Sequence, residues 1–166
     1  MRVIRCQSLG RRPSPENLQS ATWAFYDAGK RLAATDLLKA FDVFNTVNRQ
    51  AGAFFEQYDL LVVPSCLAPA PKIGALECDP AGLVDPYTWN EQVSKLGVFM
   101  PLFNVTGQPA ISLPLHQSAS GLPIGVQLAA RFGDEARLFS VGGVLEQALP
   151  WANRIPQVHV STASQP

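Results

Sequence analysis

Apolar positions along the chain follow two different periods. Leu18, Ala21, Thr22 and Phe25 recur at helical spacing behind Ser14-Pro15-Glu16. That triplet supplies a hydroxyl cap, a proline at the first helical position and an acid in the first turn. The pattern predicts a helix from Ser14 to a stop at Gly29. A second helix is predicted from Thr35-Asp36 to near Gln57, with Leu37, Phe41, Phe44, Ala51 and Phe55 on one face and Asn48 interrupting the stripe. Core packing is the first reading of that aromatic stripe, and a partner-binding surface is the sharper one.

Tyr58-Asp59-Leu60-Leu61-Val62-Val63-Pro64 has no helical period. Four consecutive apolar residues between Asp and Pro predict a strand buried on both faces, inside a sheet that one strand cannot make. Residues 65–86 are rich in Pro, Ala and Gly, and predict a long irregular loop of the kind that often carries function. A short helix is expected over 88–97. Ile111, Leu113 and Leu115 then alternate, as do Ile124, Val126 and Leu128, and HQSASGLP between them carries turn chemistry. A β-hairpin follows. Gly133-Asp134-Glu135 opens a last helix with Leu138, Val141, Leu145 and Leu149 on its buried side. Gly142-Gly143 within it costs about 1 kcal/mol per glycine relative to alanine, which points to a close neighbour. Four helices and three strands make an α/β chain with an incomplete sheet. Segments 1–13 and 157–166 are expected to be flexible ends around a structured portion, 14–156.

Composition sharpens the picture of incompleteness. The chain is 47% hydrophobic and only 16% charged over 166 residues, where a soluble domain carries about a quarter charged residues. Some of its apolar surface is therefore expected to face other protein. Thirteen basic and thirteen acidic residues give zero net charge, which argues against nucleic acid and anionic membrane as partners. No apolar run approaches the roughly 20 residues of a membrane span. Cys6, Cys66 and Cys78 form no CxxC pair, and His116 and His159 complete no zinc spacing. An odd number of thiols without a disulfide framework and the lack of a signal-peptide core suggest a cytoplasmic protein without metal or cofactor.

Candidate chemistry is sparse. No GxSxG, SxxK or phosphate-binding glycine loop occurs. Ser94-Lys95 are helix neighbours whose side chains diverge, so a solvent-facing pair is favoured over a dyad. Cys66 follows a buried-type strand, a place where α/β proteins put functional groups, but no histidine is evidently near it. A small, partly buried apolar residue is the simpler reading. Asp134-Glu135 sit where acids complement a helix dipole, so capping is preferred to paired-carboxylate chemistry. Asn104 and Gln108, in FNVTGQPA, could orient a polar substrate from a rigid turn, or could tie down the turn's own backbone. Composition alone favours the second.

The run FNVTGQPAISLPL followed by GLPIGVQLAARFGDEA (Phe103 to Ala136) resembles the C-terminal region of amidase-signature hydrolases. AFFEQYDLLVVPSCLAPAPKIG resembles the strand and proline-rich exit loop of that family, and the flanking helices are similar from near Glu16 to Pro156. Among its branches, the chain looks most like the one containing 6-aminohexanoate cyclic-dimer hydrolases. The resemblance implies part of an α/β/α sandwich with a mixed sheet, and hydrolysis of a small amide by a Ser–cis-Ser–Lys triad. No catalytic residue carries over, because no position here matches the triad or the Gly/Ser-rich signature. The implied role is to complete the sheet and close one side of the substrate cleft, with Phe103, Asn104 and Gln108 as substrate-binding residues. Two other readings stand beside it. One is a non-catalytic amidase-derived module that binds a partner or self-associates through an exposed sheet edge; the other is a small enzyme using Cys66.

Overall fold

The two alternating runs form a hairpin in the computed structural model, which describes residues 8–76, 85–156 and 158–159. Helices α1 (Ser20–Gly29) and α2 (Ala34–Gln57) lead into strand β1 (Leu60–Pro64). Helices α3 (Pro86–Ser94) and α4 (Met100–Thr106) precede strands β2 (Ala110–Gln117) and β3 (Pro123–Ala130), and α5 (Glu135–Ala148) follows. Strand β3 is central and antiparallel to both neighbours, with Ala130 opposite Leu60 and Ala129 opposite Ala110. The hairpin closes through Ser118, whose N–H donates to Leu122 O at 2.8 Å, with Gly121 at φ 81°.

Each sheet face buries one phase of the strand alternation. Under α5, Leu138 packs with Leu113, Leu128 and Ala130, and Leu60, Ile111 and Val141 surround them. On the other face Phe55 of α2 and Phe103 of α4 pack on Val63 and Ala129. The layering is α/β/α around a three-stranded antiparallel sheet. No large side chain among the described residues is completely buried.

The unfinished character lies at β1 and α2. Val62 is 59% exposed, because α5 reaches Leu60 but not Val62, and β1 is an edge strand paired only with β3. The expected burial on both faces is therefore not achieved within the described residues. Leu37, Phe41 and Phe44 of the α2 stripe are exposed too; only its last turn, at Phe55, reaches the sheet. The opposite edge differs. Strand β2 carries Pro114 within a register irregularity between Leu113 and His116, and Arg154 Nη1 donates to Pro114 O at 2.7 Å. Proline and bulges of this kind mark edge strands.

Several local expectations need correction. Ser14 does not begin a continuous helix: its N–H donates to Asn17 Oδ1 at 3.0 Å and Asn17 Nδ2 donates to Arg12 O at 2.8 Å, so a turn forms and α1 starts at Ser20. The short helix runs over Pro86–Ser94 rather than 88–97, because Asp85 accepts from Thr88 N–H at 2.8 Å and Pro86 follows the cap. That hydrogen bond also holds the Asp85 carboxyl below its ordinary range. A fifth helix, α4, was not expected. Asp134 makes no capping hydrogen bond; it accepts from Arg137 Nε at 2.7 Å, and Arg137 Nη1 donates to Asp59 Oδ1 at 2.6 Å, fastening α5 to the start of β1. The expected flexible ends lie mostly outside the described residues.

Two predictions arise here. The Arg137 hydrogen bond keeps Asp134 below the usual carboxylate range. A carboxylate depressed in the folded state contributes stability above its unfolded pKa, and that contribution is lost as pH falls through the folded value. Urea midpoints should therefore drop on acidification below about pH 4, and Asp134→Asn should flatten that part of the profile. The two helix glycines should separate. A Cβ at Gly142 would meet Ile111 Cδ1 at 3.3 Å, whereas Gly143 has open space around it. Gly143→Ala should stabilise by up to about 1 kcal/mol, while Gly142→Leu should destabilise; urea melts of both variants decide.

Candidate functional site

The site is built where α4 hands the chain to β2. Pro101 sits in the first turn of α4 and Gly107 closes it in the left-handed region at φ 73°, its N–H donating to Phe103 O at 2.9 Å. That cap sets Asn104 on the helix and Gln108 just beyond it. Both line a cavity of about 320 Å³ with Met100, Phe103, Ser112 and Gln127. Phe103, Asn104 and Gln108 are thus brought together. Phe103 is 8% exposed and belongs chiefly to the core. Asn104 is exposed, and Gln108 Oε1 is buried with no hydrogen-bond partner among the described residues. The turn-fastening reading of Gln108 thus has no bond to Oε1 behind it.

A second cavity of about 390 Å³ lies against the loop after β1, lined by Pro64 to Pro71, Leu96 and Pro123 to Gly125. Cys66 is exposed there and no histidine lines it. A thiol nucleophile therefore has no base within this cavity. Ser94-Lys95 is no dyad, since Lys95 pairs with Glu91 at 3.2 Å. No cluster of three His, Cys, Asp or Glu that could hold a metal occurs among the described residues. No helix of the described residues is long and apolar enough to cross a membrane.

The sheet adds residues that the apolar pattern passed over. Ser65 and Ser112 meet hydroxyl to hydroxyl at 2.5 Å across Gly125, and Ser65 N–H donates to Gly125 O at 2.9 Å. A Cβ at Gly125 would lie 2.6 Å from Ser65 Oγ, so only glycine leaves room for the pair. Gln127, one strand step along, is 6% exposed. The available signal was the other phase of β3: Gly125, Gln127 and Ala129 alternate with Ile124, Val126 and Leu128.

The family model described as Amidase matches residues 7–139. The chain belongs to the amidase family. It is 40% identical over 119 residues to the AmiC protein of Mycobacterium leprae, named as an amidase, covering 70% of this chain and 24% of that one. It is 32% identical over 155 residues to the 6-aminohexanoate-cyclic-dimer hydrolase of Paenarthrobacter ureafaciens, covering 90% of this chain and 31% of that one. The solved structure of 6-aminohexanoate cyclic dimer hydrolase superposes with a TM-score of 0.79 at 29% identity, over 93% of this chain and 33% of that chain. The chain thus spans a quarter to a third of these relatives and corresponds to a C-terminal portion of the fold.

Proposed function

We propose that residues 14–156 act as the C-terminal portion of an amidase, supplying scaffold and one wall of the cleft in which a small amide is hydrolysed. The observation that carries this reading is the coincidence of Asn104, Gln108 and Phe103 on one cavity, in a chain that follows a third of the hydrolase fold. The Ser–cis-Ser–Lys triad implied by the family resemblance is assigned to the preceding portion of such an enzyme. The residues here contribute positioning. An amide oriented by side-chain carboxamides can donate and accept at once, which fixes it for attack. We assign the protein to the cytoplasm on its odd number of cysteines without a disulfide framework in the sequence, and assign no cofactor.

The test joins this chain behind the preceding part of the Paenarthrobacter ureafaciens hydrolase. Asn104→Ala and Gln108→Ala in the joined protein should raise KM or change the order of preference among several amides. Each lost neutral hydrogen bond corresponds to roughly a tenfold change at most. Unchanged kinetics across all amides would remove both residues from the cleft. The module reading keeps one observation in its favour, the exposed α2 stripe of Leu37, Phe41 and Phe44. If that stripe seats a second copy, light scattering of the chain will show a dimer that Phe41→Asp abolishes.

A further inference from the structure

The sheet face beneath α4 changes character along its strands. Val63 and Ala129 lie packed under Phe55 and Phe103. One strand step further, Ser65 and Gln127 occupy the same face, with Ser112 opposite Gln127 on β2. Gln127 lines the cavity and is 6% exposed. The buried Gln108 Oε1 on the same cavity has no hydrogen-bond partner among the described residues. Leaving such a group unmatched is costly. Neither cavity is lined by Asp, Glu, Lys, Arg or His, and the serine bridge lies between them: Ser65 lines the one below the Pro64–Pro71 loop and Ser112 the one beside α4.

We propose that Gln127 is a specificity-determining residue. Its carboxamide, with that of Gln108, selects a neutral group that donates and accepts hydrogen bonds, over a carboxylate or ammonium of the same size. The aliphatic part of the ligand then lies beyond the Ser65–Ser112 bridge in the cavity below the Pro64–Pro71 loop. A charged group entering this site loses hydration and gains no counter-charge. A carboxamide exchanges its water for matched partners on Gln127 and Gln108. The inference rests on the proposed cleft, and adds to it a residue and a rule of selection.

The experiment uses this chain, ¹⁵N-labelled, titrated with hexanamide, hexanoate and hexylammonium while the side-chain amide resonances are followed. Hexanamide should shift the Gln127 and Gln108 NH₂ signals, with the two charged probes weaker by about tenfold or more. Gln127→Leu should weaken hexanamide by about tenfold. Gln127→Glu keeps the shape and adds a charge, so preference should pass to hexylammonium. Equal binding of the three probes overturns the proposal, as does a well-dispersed spectrum in which hexanamide leaves Gln127 unmoved. If Gln127→Leu does not fold, Gln127→Glu decides, and a retained preference for hexanamide is then the contrary result. Hydrolysis by the joined enzyme is read separately, so failure here leaves the amidase reading intact and failure there leaves this selectivity intact.

Discussion

Phe103→Ala should leave the isolated chain largely unfolded. Phe103 joins α4 to Phe55, Val63 and Ala129, the cluster that holds the end of α2 against the sheet. Truncating a buried phenylalanine costs about 3–5 kcal/mol, against a total stability of about 5–15 kcal/mol for an ordinary domain. This chain starts from a weaker position, since no large side chain among the described residues is completely buried. Urea titration followed by circular dichroism should show the cooperative transition lost or moved close to zero denaturant. Phe103→Leu, which keeps most of the apolar volume, should retain a transition. A Phe103→Ala midpoint indistinguishable from the parent would show that α4 is not part of the core.

Phe41→Ala should give opposite answers in two settings. In the isolated chain Phe41 is 53% exposed and makes an edge contact with Phe44 at 6.3 Å. Surface substitutions of this kind usually change stability by no more than about 0.5 kcal/mol. In the joined amidase the stripe is expected to lie under the remainder of the fold, where the same truncation costs about 3–5 kcal/mol. Paired denaturation curves measure the difference directly. Equal small effects in both would mean that the stripe faces solvent in the finished enzyme and that α2 serves another purpose.

The readable part of this sequence was the part where local pattern and tertiary burial agree. Leu128 and Leu113 alternate because one sheet face is covered by α5, and Leu138, Val141 and Leu145 repeat because α5 presents one face to it. Gly142 was legible as a close-approach glycine, and Gly143 was not, since nothing lies within 4 Å of its Cβ position. The first turn misled because Asn17 captures the backbone at Ser14 and Arg12, a competition between side chain and helix that spacing does not reveal. Helix α4 was hidden by its brevity, although Pro101 and Gly107 mark its two ends. In β1, four consecutive apolar residues called for cover that these residues do not supply at Val62. Gln127 stood in the alternate phase of β3, but the serine bridge was invisible, because a hydroxyl on residue 65 meets one on residue 112 only through the order β1-β3-β2.

The most direct measurement is hydrolysis of 6-aminohexanoate cyclic dimer and simpler amides by this chain alone, and by the chain joined behind the preceding part of the Paenarthrobacter ureafaciens hydrolase. The chain alone should release no product above the uncatalysed rate, and the joined protein should turn over. Hydrolysis by the isolated chain that vanishes in Cys66→Ser would contradict the account, as would a well-folded joined protein inactive toward every amide.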